Sequence, residues 1–299
     1  MPTIHATAGT DFPTGLATEM FAAVGGHSTL AKLSGQKPIP FAGETTFVFS
    51  QAGKAAIVGE GENKPVGEGT VAPVVCRPYK FVYQYRVSDE FVYNAESRME
   101  YLKGFADGFA KIIAESMDIA AMHGVNPYDM TDASFKATGS FDGLVTAVET
   151  YDASTIDTNI ADAVAAVQSA GADITGIALS PTAGAALAAL KANGVPQFPE
   201  FRFGQNPDTF YGMASDVNRS VEAAGVDHVI VGDFANAFKW GYAKNIPMEV
   251  IQYGDPDGQG DLKRTNEVVL RAEAYIGWAI LDPNAFAIVA AAGSSGSGN

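Results

Sequence analysis

One cysteine, Cys76, and four histidines, His5, His27, His123 and His228, are the side chains best suited to supply a nucleophile, a base or soft metal ligands. A thiolate beside a histidine is a catalytic nucleophile. In a strand-like setting the same cysteine reads as a small apolar thiol. The histidines lie far apart and never form H-x-x-x-H, so each reads as a buried or surface residue. Asp255, Asp257 and Asp261 partly imitate a calcium loop, but Pro256 takes its second position and Asn266 its twelfth. Glu60, Glu62 and Glu68 are close enough to act as paired acids. The glycines and the proline among them leave no rigid geometry, and a solvated loop is the default. No P-loop, dinucleotide fingerprint or G-x-S-x-G elbow is present. The expectation is no catalytic, cofactor or metal site.

Composition narrows the classes further. Thirty-four acidic against 19 basic residues give a formal charge of −15. That balance argues against a nucleic-acid reader, whose affinity comes from Lys and Arg on phosphates. A chain of 299 residues with 47% hydrophobic content can bury two lobes. A lone cysteine excludes an internal disulfide framework. Met1 to Thr10 lack the basic start and apolar core of a signal peptide, and no apolar run is long enough to span a bilayer. A soluble protein made in the cytoplasm is expected.

The elements that would position these residues are clearer than any chemistry. Residues 1–34 read as an extended arm, with a short helix hinted at by Leu16, Met20, Ala23 and Val24. Lys37-Pro38-Ile39-Pro40 is stiff punctuation. Thr45 to Phe49 reads as a strand, with Ala55 to Val58 as its partner or continuation. Between Gly59 and Pro73, glycines, glutamates and prolines argue against a packed element. Residues 42–78 therefore form a two-stranded excursion, marginal alone in water and in need of an external surface.

Lys80 to Glu90 alternates large apolar and polar residues. Met99, Leu102, Phe105, Phe109, Ile112, Ile113, Met117 and Ala120 make one stripe of a helix over 95–122. Gly104 and Gly108 interrupt it, and close approach of another element would account for them. A small α/β layer follows. Its helices are expected over Ile160 to Ala170 and Pro181 to Ala192, and its strands over Ile174 to Leu179 and His228 to Phe234. Between them, 194–213 reads as a loop with exposed Phe201, Phe203, Phe210 and Tyr211. Strands are expected at Phe238 to Tyr242 and Met248 to Tyr253. Glu267 to Ile280 is one long strand, and Ala285 to Val289 closes the domain before a Gly/Ser-rich tail.

In order, the chain carries Val58-Gly59-Glu60-Gly61-Glu62-Asn63-Lys64-Pro65, Val87-Ser88-Asp89-Glu90, Phe141-Asp142-Gly143-Leu144 and Leu179-Ser180-Pro181. Phe210-Tyr211-Gly212-Met213, Gly232-Asp233-Phe234, Arg271 to Trp278 and Asp282-Pro283-Asn284-Ala285-Phe286 follow. Over nearly its whole length this order resembles the major capsid proteins of tailed bacteriophages with the Hong Kong 97 phage-type fold. The resemblance implies an α+β fold: an N-terminal arm (1–34), an extended E-loop (35–78), a P-domain with a spine helix (79–150 and 263–292), an α/β A-domain (151–262) and a flexible tail (293–299).

It further implies copies assembling as pentamers and hexamers into an icosahedral head around double-stranded DNA, without sequence-specific binding and without a membrane. A portal and a separate scaffolding protein are the implied assembly partners, and the virion is the implied location. Glu60, Glu62, Lys64 and Glu68 would be E-loop contacts to a neighbour, and Phe201, Arg202 and Phe203 would sit at the capsomer axis. Some members cross-link through an E-loop lysine, a neighbour's asparagine and an assisting glutamate. Lys54 or Lys64, Asn266 and Glu273 are the residues on offer, and non-covalent contacts are preferred. Two rivals remain: an encapsulin nanocompartment shell, and an acidic α/β hydrolase using Cys76.

Overall fold

The computed structural model describes residues 26–52, 55–61, 63, 64, 66, 68–90, 95–225, 227–244 and 248–292. Leu16, Met20, Ala23 and Val24, Lys54, Glu62 and the Gly/Ser-rich tail lie outside them. Two sheets and one long helix organise the molecule. The first sheet runs β1 (Glu44–Ala52), β2 (Glu68–Ser88), β12 (Glu267–Ile280) and β10 (Phe238–Lys244), with β11 (Met248–Ile251) also on β12. Every pairing in it is antiparallel.

β12 is specified by its alternation. Val268, Leu270, Ala272, Ala274, Ile276, Trp278 and Ile280 enter the main core, while Glu267, Arg271 and Glu273 take the other face. Tyr79, Phe81, Tyr83, Tyr85 and Val87 of β2 pack on the same core. Helix α2 (Ala95–His123) closes it with Leu102, Phe105, Phe109, Ile113 and Met117, the stripe expected from periodicity. Its 29 residues make a rod about 43 Å long. Gly104 and Gly108 are not explained by a close neighbour within the subunit: a Cβ on either would meet nothing within 4 Å.

The second sheet is mixed, in the order β3 (Val148–Thr150), β13 (Phe286–Ala290), β9 (Asp227–Gly232), β4 (Gly176–Leu179), β8 (Met213–Val217), β7 (Thr209–Phe210). Helices α5 (Ile156–Ser169) and α6 (Pro181–Ala189) cover one face, over Ile177, Leu179, Val229, Val231, Ala287 and Val289. Ala178, Ile230, Phe286 and Ile288 face the main core on the other side. Burial on both faces is why these strands read as unbroken apolar runs. Leu179-Ser180-Pro181 is the strand-to-helix join: Ser180 Oγ accepts from the Ala183 amide and Pro181 takes the first helical turn.

The two sheets cut across the sequence divisions. β10 and β11, within 151–262, pair with β12, whereas β13, within 263–292, joins the mixed sheet. Three further expectations are corrected. Residues 55–58 form no strand; the partner of β1 is the start of β2, eight residues before Cys76, inside the stretch expected to stay unpacked. The stretch expected as a loop over 194–213 is bounded by two hairpin turns, at Asn193-Gly194 and Tyr211-Gly212, with positive φ at all four positions. Phe201 and Phe210 are buried, with ring centroids 5.2 Å apart.

The proline-rich segment 36–40 has a defined place. Lys37 and Ile39 donate their amides to the Trp240 and Tyr242 carbonyls, while Pro38 and Pro40, which have no N–H, fall on the alternate positions. Gly241 permits this approach, since a Cβ there would lie 1.7 Å from the Lys37 carbonyl oxygen. Short helix α1 (Thr29–Leu33) is tied down just before it. Asp118 of α2 accepts from Ser28 Oγ (2.6 Å) and from the Thr29 (2.7 Å) and Leu30 (3.3 Å) amides.

Candidate assembly surface

β2 has 21 residues, about 70 Å of chain. From Glu68 to Cys76 it pairs only with β1, and from Arg77 to Ser88 only with β12. The β1–β2 ribbon is thus a direct extension of a central strand, projecting beyond the sheet. Antiparallel register puts Thr45, Phe47 and Phe49 opposite Val75, Pro73 and Val71. All six are exposed, Phe47 at 59% and Phe49 at 71%. A contiguous apolar face of this kind on a two-stranded ribbon marks an interaction surface.

Of the charged residues expected to make contacts, Glu60 and Lys64 are exposed in the segment joining the two strands. Glu68 is the first residue of β2, opposite Ala52, and Glu62 lies outside the described residues. The charges are the conspicuous feature of this segment in the sequence, and the apolar face is the less conspicuous one. The signal was there, in the alternation Thr45-x-Phe47-x-Phe49 and Val71-x-Pro73-x-Val75.

At the far end of the mixed sheet, the 3-10 turn Pro199–Gly204 separates the three residues expected at the capsomer axis. Phe201 turns inward to Phe210 and is not available for contact. Phe203 is 92% exposed, with the Arg202 guanidinium 5.3 Å from its ring centre. Tyr211, in the turn that follows Phe210, is exposed as well.

The residues considered for chemistry are used structurally. Cys76 is fully buried against Ile39 and Ala279, and burial pushes its thiol up to about 11, far from a thiolate at neutral pH. Ser180, His228 and Glu222 superficially imitate a hydrolase triad. Both Ser180 Oγ (3.3 Å) and Glu222 Oε2 (3.9 Å) meet the same ring nitrogen, Nδ1, so no relay runs through the imidazole. Burial moreover lowers the His228 pKa.

Asp257 of the calcium-like loop is held by Arg86, through Nε (2.8 Å) and Nη2 (2.5 Å), and Asp261 caps α7 (Leu262–Thr265) through the Lys263 amide. Of the residues offered for cross-linking, Glu273 pairs with Lys80 at 2.8 Å and Asn266 is the left-handed cap of α7. Among the described residues, no helix is long and apolar enough to cross a membrane.

Comparison with known proteins gives this geometry a family. The phage capsid family profile matches residues 12–291. No curated protein matches. A solved chain of Mycobacterium phage Ogopogo is 30% identical with a TM-score of 0.77, covering 89% of this chain and 92% of its own. One of Gordonia phage Cozz is 27% identical with a TM-score of 0.72, covering 89% and 87%. A chain from the capsid of a native GTA particle shares the fold at 13% identity, with a TM-score of 0.62 and coverage of 88% and 90%. These matches favour a phage shell over the nanocompartment and the hydrolase. The chain belongs to the phage capsid family, as a major capsid protein of an icosahedral shell.

Proposed function

We propose that the β1–β2 ribbon of each subunit seats its Phe47/Phe49 face on a neighbouring copy, and that this contact closes pentamers and hexamers into the shell of a virion around double-stranded DNA. The observation that carries it is the exposed face of Phe47, Phe49, Val71, Pro73 and Val75, flanked by Thr45, on a ribbon whose two strands pair only with each other among the described residues. Burial of that face stabilises association by about 25 cal/mol per Å² before association costs, and a closed shell makes many modest contacts cooperative. Glu60, Glu62, Lys64 and Glu68 supply the polar rim of the same contact. Arg202, Phe203 and Tyr211 meet their symmetry mates at the capsomer axis.

The five-stranded sheet with α2 corresponds to the P-domain of the family and the mixed sheet with α5 and α6 to its A-domain. A net charge of −15 limits adhesion to the packaged DNA. A portal and a separate scaffolding protein complete assembly in the host cytoplasm.

The test is a Phe47→Ser/Phe49→Ser double variant, followed by electron microscopy and sedimentation. Circular dichroism and thermal melting should match the parent subunit while shells are lost. Normal shells from a folded double variant would overturn the reading.

A further inference from the structure

His123, Asp142 and Asp227 come from three parts of the fold: the last turn of α2, helix α4 (Phe141–Leu144), and the first residue of β9. One ligating atom of each lies within 4.8 Å of the others. The His123 side chain is fully buried and that of Asp227 is only 5% exposed. The site belongs to neither contact surface above.

The hydrogen bonding fixes the chemistry of the ring. His123 Nε2 lies 2.9 Å from the Ser220 carbonyl oxygen, which can only accept, so Nε2 carries a proton and donates it. In the neutral imidazole, Nδ1 then presents its lone pair. It faces two carboxylate oxygens, Asp142 Oδ2 at 3.2 Å and Asp227 Oδ2 at 3.5 Å. Asp227 Oδ2 and Asp142 Oδ1 are buried and receive no hydrogen bond from a donor outside the cluster. The two carboxyl groups also bond each other, so in the ion-free subunit a proton shared between them stands where a cation would sit.

We infer that this point is a binding site for a divalent transition-metal ion of the zinc type, held by His123 Nδ1, Asp142 and Asp227. Tetrahedral zinc with bonds of roughly 2.0–2.1 Å to nitrogen and oxygen separates neighbouring ligands by about 3.3 Å. The two distances from Nδ1 bracket that edge. Ser220 is the outer partner such a histidine needs, because a backbone carbonyl on the second ring nitrogen fixes the tautomer and the ring orientation. The partly exposed Asp142 side chain, at 17%, gives the ion a way in and leaves the fourth position to water. The ion clips the end of the long helix to the mixed sheet.

The probe is Co²⁺, with Zn²⁺ as competitor, added to the full-length protein after chelation. One equivalent per subunit should give the visible absorption of tetrahedral cobalt, displaced by zinc. Zinc should raise the melting temperature of the parent protein. Asp227→Asn, which keeps the shape of the site, should lose the cobalt absorption and at least about tenfold in zinc affinity, and His123→Gln should lose both responses. An absence of saturable cobalt absorption, with melting indifferent to zinc and chelator, would mean that shared protons alone hold the cluster. Unchanged cobalt binding in folded Asp227→Asn and His123→Gln variants would place the metal elsewhere. Either result overturns the inference.

Discussion

Cys76 and Arg77, neighbours in one strand, pair with different strands: Cys76 stands opposite Glu44 of β1 and Arg77 opposite Trp278 of β12. The ribbon begins at that peptide bond. The thiol beside it is buried on the far face of the sheet, its pKa pushed up to about 11 chiefly by desolvation. Cys76 should therefore resist a disulfide reagent at pH 8 in the native subunit and react fully in denaturant. Rapid native labelling would mean that the ribbon root opens.

Gly241→Ala should release residues 36–39 from β10, because the added Cβ meets the Lys37 carbonyl oxygen at 1.7 Å. A cost of roughly 1–3 kcal/mol or more is expected in chemical denaturation. Protection of the Lys37 and Ile39 amides from hydrogen exchange should fall with it.

Gly104→Ala and Gly108→Ala should act in the opposite direction. Each lies on the exposed side of α2 with open space around its Cβ position, so each should stabilise the isolated subunit by about 1 kcal/mol. Melting of the subunit checks that. A stabilised variant that no longer forms shells would show that a neighbouring copy uses the bare backbone there.

Arg86 gathers Asp257 and Glu267, at 2.5 and 3.0 Å, and holds the Asp257 carboxyl down at about 2. Its pKa in the folded state is below the ordinary value, so its contribution is present above about pH 4 and is lost as pH falls toward 2. Asp257→Asn should lower the melting temperature at neutral pH and flatten its fall between pH 4 and pH 2. An acid limb identical to the parent's would remove Asp257 from the account.

Asp118→Ala should free α1 from the long helix. Three donors, Ser28 Oγ and the Thr29 and Leu30 amides, would lose one buried acceptor group, at a cost of about 2–4 kcal/mol. Limited proteolysis around residues 26–34 gives the local readout.

Periodicity made β12 and α2 legible to within a residue or so, since each has one face in the main core and one away from it. β2 was half hidden. Pro73 and the glycines before it argue against a strand, but at every residue β2 has a partner on one side only, and an edge tolerates a missing N–H. The Asn193-Gly194 hairpin carried a standard turn signature that the surrounding prolines and glycines masked. The apolar ribbon face was legible as alternation, but exposed and buried alternation look alike before the partner strand is known. His123, Asp142 and Asp227 could not be grouped from spacing, because only the docking of α2 against the mixed sheet brings them together.

The change of partner along β2 has a mechanical meaning. A pull on the ribbon along its length loads the whole β2–β12 ladder in shear, so its hydrogen bonds share the force and do not open one after another. A ribbon joined through a loop would swing; this one is a tether, and a neighbour that grips its tip pulls directly on the centre of the subunit.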